Sequence, residues 1–114
     1  MTSVRIFSAY LLLIVLLLLV NTCRGPLVVK HFNARWNEEN NVEWLDSLTN
    51  CKIKELSIDD TKVQKKYSIV VVPTIIIFNN GEEIKRFQAD LSFIMVARRK
   101  EIQEEINKLI MNKY

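Results

Sequence analysis

Histidine occurs once in the 114 residues, at His31, and cysteine twice, at Cys23 and Cys51. A single imidazole cannot build a metal centre. The two thiols, one bordering a leucine-rich run and one deep in the remaining chain, form no ligand or disulfide spacing motif. A disulfide scaffold and a zinc site are therefore excluded, and no metal or cofactor is expected. A strong charge of either sign is also missing: 16 Lys and Arg face 13 Asp and Glu, a net +3 scattered along the chain. That mild excess implies no nucleic-acid partner, and the pI near 9.0 bears on solubility alone. There are no internal repeats. Only two glycines and two prolines punctuate the chain, so Gly25-Pro26, Pro73 and Gly81 each carry weight as boundaries.

One feature is abundant. From Ile6 to Val20 no residue is charged and nearly all are apolar, with LLLIVLLLLV from Leu11 onward. As a helix this run spans roughly 22 Å, short for a bilayer core of about 30 Å but long enough for the core of an export signal. It has no polar face, which a buried soluble helix would show. Residues 1–23 are thus expected to be a signal peptide or membrane anchor, and 27–114 a single domain. Removing the leader removes Arg5, so the net charge falls from +3 to +2. Cys23 ends the run as the cysteine of a bacterial lipoprotein signal would, although Asn21 and Thr22 are atypical before such a cysteine. Lipidation at Cys23, ordinary cleavage and an uncleaved anchor all stay open. Each places the domain at a membrane or in an exported compartment, on the secretory or extracytoplasmic side.

Beyond Arg24-Gly25-Pro26, Leu27–Phe32 reads as a strand. Val42, Trp44, Leu45 and Leu48 recur near helical spacing, predicting a short helix over Glu38–Leu48. Lys52–Ile58 predicts a second strand, and Asp59-Asp60-Thr61 a cap for a helix over Lys62–Tyr67. Thr74–Phe78 is a continuous apolar run of strand length, the mark of a central strand buried on both faces. Asn79-Asn80-Gly81 is a hairpin turn, Ile84–Phe87 its returning strand, and Ala97–Asn112 an amphipathic helix. The order β-α-β-α-β-β-α predicts an α/β fold, a mixed sheet of about four strands flanked by helices.

Two local patterns give that order a relative. Val72-Pro73-Thr74, followed by Ile75-Ile76-Ile77-Phe78-Asn79-Asn80-Gly81-Glu82, resembles the Pro-Thr-strand-Gly signature of the thioredoxin family. Phe32-Asn33-Ala34-Arg35-Trp36-Asn37-Glu38-Glu39-Asn40 resembles its Phe-Trp-Ala-x-Trp-Cys-Gly-Pro-Cys segment at Phe32, Ala34 and Trp36. The resemblance implies a thioredoxin-like fold from about Leu27 onward and a cis peptide bond at Pro73. It further implies a groove for extended peptides, lined by Trp36, Val72, Pro73 and Thr74, in which Val72 offers its backbone N–H and C=O. Because proline has no N–H to donate, Pro73 is expected where a sheet edge meets solvent.

The chemistry of the family does not carry over. Disulfide exchange needs a thiolate and a second thiol three positions on. Asn37 and Asn40 occupy those two positions, and His31 occupies that of the family's buried acid. An amide is neither nucleophile nor leaving group. Asn37-Glu38-Glu39 reads instead as a capped helix start, or as amides that grip a partner's backbone. Cys51 is expected to be a small buried hydrophobe and His31 a partly buried histidine with nothing to activate. In the loop where the family carries a glycine, this chain has Ala89 and then Asp90–Val96, longer and more apolar than usual. This stretch either adds core or a helical turn, or its Phe93, Ile94 and Met95 widen the apolar groove wall for a peptide partner or the nearby lipid surface, and full burial of all three would exclude the second. The leading expectation is a redox-inactive domain that binds protein or peptide segments. The alternatives are an atypical thiol–disulfide oxidoreductase and a structural accessory subunit of a membrane complex.

Overall fold

The computed structural model describes residues 27–112; the segment 1–23, and with it Cys23, lies outside them. Among the described residues no helix is long and apolar enough to cross a membrane. Four strands form one mixed sheet: β1 (Leu27–Asn33), β2 (Cys51–Ser57), β3 (Thr74–Asn79) and β4 (Glu82–Gln88), in the spatial order β2-β1-β3-β4. β1 pairs with β2 in parallel, His31 opposite Glu55, and with β3 antiparallel, Phe32 opposite Thr74. The parallel pair comes from the crossover, and the antiparallel pair β3–β4 from the Asn80-Gly81 hairpin. Both turn residues hold positive φ, 54° and 82°, which asparagine tolerates and glycine accepts without strain.

Alternation along the strands divides the core in two. Leu27 and Val29 of β1 and Ile75 and Ile77 of β3 face one side. There they pack against Val42, Leu45, Leu48 and the helix Arg99–Met111 (α2) through Ile102 and Ile106. Phe32, Ile76 and Phe78 face the other side, with Ile69, Val72 and the half-buried Tyr67 at the end of helix Thr61–Tyr67 (α1). α1 is capped as expected: the Asp60 side chain accepts from the Lys62 N–H at 3.0 Å. β3, buried along Thr74–Phe78, is the central strand that its unbroken apolar run predicts. The outer strand β2 turns Lys52 and Lys54 to solvent, which discourages edge-to-edge pairing.

The helix expected over Glu38–Leu48 does not form. In its place are two 3-10 segments, Arg35–Asn40 and Leu45–Ser47, the first broken at Asn37 (φ −115°, ψ 20°). Asparagine side chains that bond locally compete with helical backbone, and the segment contains Asn37, Asn40 and Asn41. Val42, Leu45 and Leu48 still reach the core from this segment, Leu45 alone from within a 3-10 turn.

Candidate functional site

The site lies at the carboxyl end of β1, where the chain leaves the sheet at Asn33 and turns through Arg35–Asn40. The Val72-Pro73 peptide bond is cis, as the resemblance implies. The expectation that Pro73 sits at a solvent-facing edge is corrected: it immediately precedes β3, a central strand, and its side chain is fully buried. Standing outside the ladder, it leaves no strand hydrogen bond unmade. Its carbonyl accepts from the Ala89 N–H at 3.0 Å. Val72 and Thr74 are likewise buried, and the Thr74 hydroxyl donates to the Val71 carbonyl at 2.6 Å. Val72 packs into the core beside α1, and the side chains of Pro73 and Thr74 are buried with it.

Asn37 is the centre of what lies there. It is 4% exposed, and it is not a helix cap: the capping position falls on Ala34, which makes no side-chain cap bond. Its amide nitrogen donates to the Asn33 side-chain oxygen at 3.0 Å and to the Phe93 carbonyl at 3.1 Å. Its amide oxygen accepts from Asn40 at 2.7 Å. Asn33 in turn donates to the Asn37 carbonyl at 3.0 Å and to the Asn41 side chain. Four asparagines thus form an amide network, with Asn33 and Asn37 buried and Asn41 at the surface, worth more to rigidity than any one bond would suggest. Sequence reasoning singled out Asn37 and Asn40 but missed Asn33 and Asn41; the density of asparagine over residues 33–41 was the available signal.

The network reaches across to the loop after β4. Phe93 holds a positive φ of 64°, uncommon for an aromatic residue. It is kept there by Asn37 on its carbonyl and by the Phe93 N–H donating to the Asp90 carbonyl at 3.1 Å. The Asp90 carboxylate accepts from the Ser92 N–H at 2.8 Å and from the Ser92 hydroxyl, which holds its pKa below the usual range. On the outer surface the Phe93 ring meets Trp36 edge to face, centroids 5.0 Å apart. Trp36 is 63% exposed and Phe93 40%. Ile94 is also exposed, and Met95 is half-buried against the core. Full burial, which would have excluded an apolar wall, does not occur.

The remaining candidates are apart from this cluster. Cys51 opens β2 opposite Leu27, at the amino end of β1, whereas β3 begins opposite Phe32 at its carboxyl end. Five strand steps of about 3.3 Å separate the two ends, roughly 16 Å. Half-buried, Cys51 packs against the core, and burial pushes its thiol pKa up, toward the unreactive protonated form. His31, 2% exposed, has Nδ1 3.7 Å from the Glu55 carboxylate and an Nε2 with no hydrogen-bond partner. Burial pushes its pKa down to about 4. Glu55 would favour the charged imidazole, but its side chain is largely solvated, so desolvation dominates and the ring is neutral at pH 7. Among the described residues, no three His, Cys, Asp or Glu are placed to hold a metal ion.

No protein-family model matches the sequence, and no curated protein does. Solved structures do. The chain is similar to the thioredoxin of Schistosoma mansoni at 22% identity, over 82% of this chain and 85% of that one, with a TM-score of 0.57. It is similar to Fasciola hepatica thioredoxin at 26% identity, over 82% and 89%, with a TM-score of 0.55. A mutant thioredoxin from Halobacterium salinarum NRC-1 superposes at 20% identity over 76% and 77%, also with a TM-score of 0.57.

Proposed function

Starting from a domain whose fold is that of thioredoxin, we propose a redox-inactive, protein-binding module delivered to or held at a membrane. One observation carries the reading. Asn37 stands at the first of the two positions where the family resemblance calls for cysteine, and it is buried with its amide hydrogens and oxygen bonded to Asn33, Phe93 and Asn40. That side chain cannot attack a disulfide, and its bond to the Phe93 carbonyl ties it to the loop after β4. Asn40, at the second position, is spent on Asn37. Cys51 lies at the other end of the sheet with a raised pKa, which argues against the atypical oxidoreductase.

What is left for function is recognition. Trp36, Phe93 and Ile94 are exposed apolar side chains, the first two in edge-to-face contact. Aromatic anchors of this kind, in a polar surround, are the groups on which protein interfaces concentrate their affinity. The membrane assignment rests on the uncharged run Ile6–Val20. A second reading, a structural accessory subunit of a membrane complex, is favoured by the extent of exposed apolar side chain in the same loop, which includes Leu91 and Val96.

Reduction of insulin by the full chain tests the central statement. Turnover no greater than in a buffer control is the expected result. Measurable turnover would overturn the reading, and its loss in Cys51→Ser would trace it to that thiol. Co-purification from detergent extracts separates the two binding readings: a stoichiometric, stable companion supports the subunit, and transient extended segments support the module. Intact mass of the native protein separates cleavage, lipidation at Cys23 and a retained anchor.

A further inference from the structure

The mild net charge hides a division between the two sides of the sheet. Register places Lys52 and Lys54 of β2 opposite Val28 and Lys30 of β1, and Arg86 of β4 opposite Ile76 of β3. Paired residues share one face of the pleat, and Val28 and Ile76 belong to the α1 side of the core. Four cations therefore stand on that side of the sheet. The carboxylate among them, Glu83, is already engaged by Arg86 at 2.8 Å. α1 adds three lysines and no acid, while Asp59 and Asp60 precede it at the far, carboxyl end of β2. Most acids fall elsewhere: four in residues 35–48 and three in α2, elements that pack on the opposite side, where Lys100 and Lys108 are mixed among them.

Some of these lysines have ordinary explanations. On β2 they discourage edge pairing, and Lys65 and Lys66 complement the carboxyl end of α1. Lys30 has neither excuse. It lies in the middle of a central strand, on a face that a packed layer ordinarily seals with apolar side chains. There its ammonium donates to the Tyr67 hydroxyl at 2.8 Å and stands 4.7 Å above the Phe78 ring, while the Lys66 ammonium stands 5.3 Å above the Tyr67 ring. Lys30 and Tyr67 are half-buried, an apolar base with polar tips toward solvent. Among the described residues the seven-residue α1 is the one helix packed on this side, so Val28 and Lys30 are only partly covered.

The course of the chain supplies the neighbour. Lys52 lies opposite Val28, one residue after β1 begins at Leu27. Seven residue steps, at most about 25 Å, separate Leu27 from Val20, the end of the uncharged run. A run held in a bilayer keeps this corner of the domain within reach of the headgroups. We propose that the α1 side of the sheet docks on an anionic phospholipid surface, with Lys30, Lys52, Lys54 and Lys66 toward the phosphates and Tyr67 among them. Lysines near such a surface add their attractions, and amphipathic aromatic rings settle at headgroup depth. The proposal rests on the membrane reading of Ile6–Val20 and deepens it: the run supplies the tether and the basic face supplies the orientation.

Reductive methylation of lysines, read residue by residue by mass spectrometry, tests this on the full chain in nanodiscs. One set of discs is pure phosphatidylcholine, and in the other a third of the lipid is phosphatidylglycerol. At least threefold slower labelling of Lys52 and Lys54 in the anionic discs is expected, with the rate at Lys108, exposed on α2, unchanged. Salt near 1 M, where charges are screened beyond about 3 Å, should erase the difference. The double variant Lys62→Glu, Lys66→Glu, altered only on the surface of α1, should lose at least half of the protection on β2. Equal labelling in the two discs, or equal slowing at Lys108, would overturn the proposal. Slowing by soluble polyglutamate but not by anionic discs would overturn the lipid assignment and give the face to an acidic protein. Co-elution with the discs reports the tether separately. A chain that elutes with anionic discs alone loses the anchor and keeps the face, whereas one that elutes with both and labels equally keeps the anchor and loses the face.

Discussion

Lowering the pH from 6.5 to 4.5 should destabilise this domain by about 2 kcal/mol through His31 alone. In the fold burial holds the imidazole pKa near 4, whereas the unfolded chain protonates it near the ordinary 6.5. The unfolded state therefore binds more protons between those values, and stability falls as the pH falls through that window. Each unit of pKa difference is worth about 1.4 kcal/mol, so the full penalty below pH 4 approaches about 3 kcal/mol. Roughly two-thirds of it develops between pH 6.5 and 4.5. Other groups do not obscure this window. Glu83, hydrogen-bonded to Arg86, and Glu105, hydrogen-bonded to Lys85, have pKa values held below 4.5, so their contributions are lost only at lower pH. Both are surface pairs, further weakened by solvent screening. Urea unfolding of the full chain in nonionic micelles, followed by tryptophan fluorescence at half-unit pH steps, reads the slope. The His31→Leu variant should be flat between pH 6.5 and 4.5, while Glu55→Gln should keep the wild-type slope. Equal slopes in the wild type and His31→Leu would refute the claim that a neutral buried imidazole sets acid sensitivity.

Three further outcomes test the site and the fold. Asn37→Ala removes bonds to Asn33, Phe93 and Asn40 and should cost about 2–3 kcal/mol. It should also speed amide exchange over residues 90–94, and unchanged exchange there would show that Asn37 does not hold the loop. Gly81→Ala meets nothing within 4 Å, so only its positive φ is at stake, and a loss of about 1 kcal/mol in chemical denaturation is expected. A stabilised variant would contradict the assigned turn. Ile76→Ala empties a fully buried position on the α1 side of β3 and should lower stability by about 2–5 kcal/mol in the same assay, a loss under 1 kcal/mol placing Ile76 outside the core.

The elements that could be read from the chain are those written in local chemistry. Asn79-Asn80-Gly81 demanded a hairpin because few residues tolerate its backbone angles, and both expected positive φ values are present. The unbroken run Thr74–Phe78 announced a strand with no solvent face, and β3 has none. Asp60 announced a helix start by its ability to cap one. The helix expected over Glu38–Leu48 does not form; its apolar spacing suits an α-helix and a 3-10 helix nearly equally. What decided between them was hydrogen bonding of Asn37 to Asn33 and to Phe93, the latter 56 positions away.

The same division runs through the site. Composition and motif determined that the scaffold is thioredoxin-like and that residues 37 and 40 are amides, because side-chain chemistry belongs to the residue wherever it is placed. Burial belongs to the assembled chain. Only the tertiary structure covered Val72, Pro73 and Thr74, set Phe93 against Trp36, and buried the His31 imidazole with its Nε2 unpartnered. Each of those depends on segments far apart in sequence meeting in space, and no local pattern encodes such a meeting.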